Sequence, residues 1–95
     1  MTNEKILEVV SIYEKELNGI SLERADSAIL NTNRAIAMRH CVFMLNQIRT
    51  FINAGRTTKA YRWLGFVQGV MWSHGKYSID QLANQNREEH EASTK

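Results

Sequence analysis

The chain has 95 residues, a length that suits one domain. Its 43% hydrophobic and 23% charged composition is that of an ordinary globular protein and argues against disorder throughout. Net charge is only +2, and a single cysteine, Cys41, excludes an internal disulfide framework and any multi-cysteine zinc site.

The opening stretch MTNEKILEVV lacks the basic start and long apolar run of a signal peptide. No apolar stretch approaches the roughly 20 residues of a bilayer span, so a soluble, cytosolic domain without membrane contact is expected.

Helical spacing dominates, and there is no proline and no convincing strand alternation. A first helix is predicted over about 3–18, with Ile6, Val9, Val10, Tyr13 and Leu17 on one face and Gly19 as its stop. Ser21 can cap a short second helix from Leu22 to Leu30, before the polar break Asn31-Thr32-Asn33.

The next helix should run from about 33 to 53 and end at Gly55. Its main apolar stripe is Ala37, Cys41, Met44, Leu45, Ile48, Phe51 and Ile52, and a second stripe holds Ile36, His40, Phe43 and Gln47. A helix apolar on two sides is either central or part of an interface.

A further helix is predicted over about 58–74, with Ala60, Trp63, Leu64, Val67, Val70 and Met71 facing the core and Gly75 as terminator. The short connection around Gly55 makes these two helices an antiparallel hairpin. Ser78 and Gln81 have the spacing of a capping box, and Tyr77 and Leu82 that of a hydrophobic staple. The polar sequence from Asn84 onward is expected to fray. The fold class is therefore all-α: a small bundle of four to five helices in one domain over 1–86, with a polar tail over 87–95. So small a core is often supplemented by oligomerisation, for which Ile36, Phe43, Tyr61 and Trp72 are candidate surface residues.

Charge is segregated along the chain: −3 over residues 1–26, +7 over 27–79 with no acid at all, and −2 over 80–95. The basic middle calls for an anionic counterpart. Either the acidic N-terminal helix folds back on it, in this chain or in a symmetric copy, or an external anion binds there. Arg39, Arg49, Arg56, Lys59 and Arg62 are the candidate anion contacts, with Tyr61 and Trp72 as aromatic anchors.

The segment KAYRWLGFVQGVMWSHG, residues 59–75, stands out. Gly65 and Gly69 lie inside a helix, each costing about 1 kcal/mol relative to alanine. Their spacing puts them on one face with Arg62 and Ser73, flanked by Tyr61 and Trp72. Two readings account for that cost. The glycines permit close helix packing within or between subunits, or they floor a shallow groove for a base and a phosphate.

Arg39-His40, Phe43-Met44-Leu45, Gly55-Arg56, KAYRWLGFVQGV and GKYSI, in that order between Arg34 and Asn86, form a pattern that resembles small accessory products of tailed, T-even-like bacteriophages. The first 33 residues contribute little to it. The resemblance implies a phage gene product made in the host bacterial cytoplasm, of a class that often binds host enzymes, defence factors or nucleotides. It carries no residue roles with it.

Recognisable catalytic chemistry is missing from the sequence. Cys41 lies among apolar neighbours with no activating base in view. His40 and His74 lack a metal-binding companion at helical spacing, and His90 lies in the polar tail. Asp80 is explained by the dipole of the helix it opens. No phosphate-binding glycine loop or nucleophile elbow occurs, so neither an enzyme nor a cofactor is expected. The expected function is a non-catalytic phage accessory protein that binds and inhibits or sequesters a host factor through a helical surface. The alternatives are an oligomer that binds a nucleotide or nucleic acid through the basic 27–79 segment, and a structural phage subunit.

Overall fold

A computed structural model describes residues 1–21 and 33–87. Those residues form an all-α bundle of four helices: α1 (Asn3–Glu16), α2 (Arg34–Asn53), α3 (Thr57–Ser73) and α4 (Ile79–Asn86). The short helix expected over 22–30 lies outside the described residues, as does most of the tail.

Local chemistry sets the helix ends. Thr2 and Asn33 each accept a hydrogen bond from a backbone N–H three residues on, at 3.1 Å, which satisfies donors the first turn cannot pair. α1 ends two residues earlier than its spacing suggests, with Leu17 as its C-cap. α2 and α3 end alike. Gly55 and Gly75 take φ of 74°, and the following N–H closes back on Phe51 or Met71 at 2.8 Å. This left-handed closure turns the chain sharply after each helix and favours glycine at both positions. At α4 the Ser78 hydroxyl accepts from the Gln81 N–H while the Gln81 side chain accepts from the Ser78 N–H, so the capping box is complete.

α2 and α3 form the expected antiparallel hairpin, and α1 packs across one face of it. Ile6, Val9, Val10, Tyr13 and Leu17 of α1 are buried against Cys41, Leu45 and Ile48 of α2 and Leu64, Val67 and Met71 of α3. Met38, which the stripe reading passed over, is buried as well, whereas Ile52 is only half-buried.

α4 has no fully buried residue and packs on α1. Tyr77 and Leu82 lie against the core as a staple would place them. Asn84–Asn86 correct the expectation of fraying: they belong to α4, and its last turn is held by a buried amide cluster. The Gln68 amide donates to Asn86 Oδ1 and accepts from Asn86 Nδ2 at 3.1 Å. Gln68 also donates to the Tyr13 hydroxyl at 3.0 Å, which in turn donates to Gln85 Oε1 at 2.6 Å. Three helices thereby share one hydrogen-bond chain, each member satisfying the next.

Candidate functional site

The hairpin has a second face. Residues two apart on a helix point about 200° apart, so neighbours of opposite duty reveal which side is which. Arg49 and Gln68 reach α1, through Glu14 and Tyr13. Gln47 and Phe66, each two positions earlier, line a groove on the far side, with a volume of about 780 Å³.

Its α2 wall is His40, Phe43, Met44, Gln47 and Phe51, and its α3 wall is Lys59, Arg62, Trp63 and Phe66. Both sets follow helical i, i+3, i+4, i+7 spacing, so each is one continuous stripe. From His40 to Phe51 the α2 wall spans eleven helical steps, about 16 Å at helical rise.

Aromatic packing shapes the floor. Phe51 and Trp63 meet edge to face at 4.9 Å between ring centroids, and His40 stacks on Phe43 at 5.8 Å. The Lys59 ammonium stands 4.7 Å from the Phe51 centroid and 6.0 Å from that of Trp63, a cation–π arrangement that keeps it over the groove. Phe66 is 53% exposed, a large apolar surface left to solvent beside Arg62.

The lining contains no carboxylate. Among the described residues neither Lys59 nor Arg62 has an ion-pair partner. The α1 side is the opposite case. Arg49 grips Glu14 with two hydrogen bonds, at 2.7 and 2.9 Å, and donates to Ser11 at 3.0 Å. Lys76 pairs with Glu16 at 3.5 Å. The acidic N-terminal helix thus neutralises part of the basic segment, and Lys59 and Arg62 in the groove lie outside that part.

The expected site residues therefore separate. Lys59 and Arg62 enter the groove, whereas Arg49 is committed to α1. Arg56 sits at the hairpin turn, its guanidinium 6.0 Å from the Phe51 centroid. Arg39 borders a different depression, with Arg34 and Lys76, near the end of α1. Tyr61 and Trp72, 48% and 52% exposed, project from the outer face of α3 and do not line the groove.

Gly65 and Gly69 lie on that same outer face of α3. A Cβ added at either position would touch nothing within 4 Å, so among the described residues no helix approaches them. Nor does a second element among the described residues stand beside them to form the other wall of a groove. The concave site lies about a quarter-turn round α3, between it and α2.

Sequence reading missed Trp63 and Phe66 as groove residues. The available signal was the match between the second stripe of α2 and the 59, 62, 63, 66 stripe of α3, both free of acids.

Cys41 faces the core, and burial pushes its thiol up to about 12, so it is a packing residue with little thiolate at neutral pH. Burial likewise pushes the Tyr13 hydroxyl up to about 12, against a smaller opposing effect of the Gln68 hydrogen bond. The hydrogen bonds that Arg49 donates to Glu14 raise its pKa above the ordinary value. Among the described residues no three His, Cys, Asp or Glu side chains stand close enough to hold a metal ion, and no helix is long and apolar enough to cross a membrane.

No protein-family model, curated protein or solved structure matches this chain.

Proposed function

We propose that this chain is a non-catalytic binding protein that captures a partner protein in the α2–α3 groove and so sequesters or inhibits it. The observation that carries the reading is the juxtaposition of exposed Phe66 and the Phe51–Trp63 pair with Lys59 and Arg62, without a carboxylate in the lining. Aromatic and arginine side chains dominate binding energy at protein interfaces, and an unneutralised basic rim selects an acidic partner. A symmetric contact between two grooves would gather two sets of Lys59 and Arg62 into one interface whose lining has no carboxylate, which favours a foreign partner over self-association. The resemblance to tailed-phage accessory products makes a bacterial host protein the expected partner.

The test is native mass spectrometry of the full chain recovered from bacterial cells. A stoichiometric complex with a host protein is expected, and it should be lost when Lys59→Glu and Arg62→Glu are combined. Recovery of the same complex from that variant overturns the proposal.

A second reading has one observation in its favour. Cations beside exposed aromatic rings also suit a nucleotide, by stacking and phosphate contact. A rise in melting temperature with added nucleotide, in a protein recovered without a protein partner, selects that reading.

A further inference from the structure

We infer that the groove takes one particular kind of protein segment: an acidic amphipathic helix of about three turns. The inference rests on the proposed function and names the chemistry of the partner.

The α2–α3 hairpin already accepts such a helix on its other face. α1 lays Ile6, Val9, Val10 and Tyr13 against the hairpin, and Glu14 and Glu16 pair with Arg49 and Lys76 at its margins. The groove repeats that recipe without an occupant among the described residues. Its floor is the Phe51–Trp63 pair with Met44, and Lys59 and Arg62 stand at its margin with no ion-pair partner among those residues. Its length of about 16 Å matches eleven residues of helix, or three turns.

Backbone chemistry excludes one alternative for a peptide. A strand that binds by adding to a sheet edge finds no edge here, because the two walls are helices whose interior N–H and C=O groups are already paired. Side chains must hold the occupant, and the i, i+3, i+4, i+7 stripe of each wall matches the helix-in-groove mode. Charge then sets the flanks. Carboxylates beside the apolar row would meet Lys59 and Arg62, whereas lysines there would be repelled.

The probe is a designed helical peptide of 14 residues with leucine anchors at that spacing and glutamate flanks, beside a counterpart with every glutamate changed to lysine. Each is titrated into the full chain carrying Trp72→Phe, so that Trp63 in the groove is the sole tryptophan and can be excited selectively, with backbone amide shifts recorded in parallel. The acidic peptide should bind at least ten-fold tighter than the lysine counterpart. Shifts should centre on residues 40–51 and 59–66. Lys59→Glu with Arg62→Glu should weaken the acidic peptide at least ten-fold, with helical content unchanged by circular dichroism.

Equal binding of the two peptides, no binding, or shifts centred outside the groove overturns the inference. So does displacement of the peptide by oligothymidylate at lower concentration, which would mark a nucleic-acid site, or concentration-dependent shifts without peptide, which would mark a second copy as occupant. If the peptide fails while the charge-reversal variant still loses its cellular partner, the inference falls and the proposed function stands. If that variant keeps its cellular partner, the proposed function falls first.

Discussion

Arg49 closes on Glu14 as a two-pronged fork, at 2.7 and 2.9 Å, and joins α2 to the acidic helix laid across it. The pair explains why α1 and the basic segment coexist in one small domain, and it removes Arg49 from the cations available to a partner. Both side chains keep more than a third of their surface in water, so solvent screens the attraction. Arg49→Ala should cost under about 1 kcal/mol of stability. Urea unfolding at low and high salt checks this, and the difference from the parent protein should shrink as salt rises. Partner capture should be unaffected.

The glycine face leads to a prediction of opposite sign. Gly65 and Gly69 lie in a helix with open space where a Cβ would go. Alanine at each should therefore stabilise the chain by about 1 kcal/mol, raising the melting temperature by about 4–8 °C per substitution. Thermal unfolding of Gly65→Ala, Gly69→Ala and the double variant measures it. A fall in melting temperature would mean that something packs closely on this face in solution.

At the other end of the bundle, α4 is held by amides more than by apolar burial. Asn86→Ala removes both hydrogen bonds to the Gln68 amide and leaves that buried group with only its bond to Tyr13, at a cost of about 1–3 kcal/mol. Because α4 buries no residue fully, the loss should appear first as local opening. Hydrogen exchange should quicken at residues 79–86 while the amides of α2 stay protected.

Alkaline pH should unfold the protein through two buried acids. Folding favours the protonated form of each, since Cys41 rises from 9.0 to about 12 and Tyr13 from 10.0 to about 12. Their contribution is complete below the ordinary values and is lost as pH climbs from about 9 for Cys41, and from about 10 for Tyr13, towards 12. The loss is on the order of 3 kcal/mol for each group at the upper end. Urea midpoints between pH 8 and 11.5 should fall from pH 9 in the parent and only from about pH 10 in Cys41→Ala. In Tyr13→Phe the part of the decline that begins near pH 10 should shrink.

What the sequence made legible was local. Ser78 and Gln81 sit three apart, and a capping box needs nothing beyond that spacing. The two-sided character of α2 was equally plain, because Phe43, His40 and Gln47 recur at helical intervals. Which element would face that second stripe was a tertiary question, and the answer is the Lys59–Phe66 stripe of α3. The duty of Gln68 is invisible in its own segment because it depends on Tyr13, 55 positions away, and on Asn86 in a polar stretch expected to fray. For the same reason Arg49 was indistinguishable from Arg62: position on the helix decides which one Glu14 can reach. The spacing of Gly65 and Gly69 fixed a shared face but could not say whether anything would lie on it.

A partner seated in the groove should be within reach of a probe placed there. Photoreactive benzoylphenylalanine placed at Phe66 in the groove, or at Ile12 on the outer face of α1, tests it within bacterial cells. The groove position should yield one discrete cross-linked host protein, and the adduct should vanish when Lys59→Glu and Arg62→Glu are added. Cross-linking of the same protein from position 12, or an adduct at position 66 that survives the charge reversal, would contradict it.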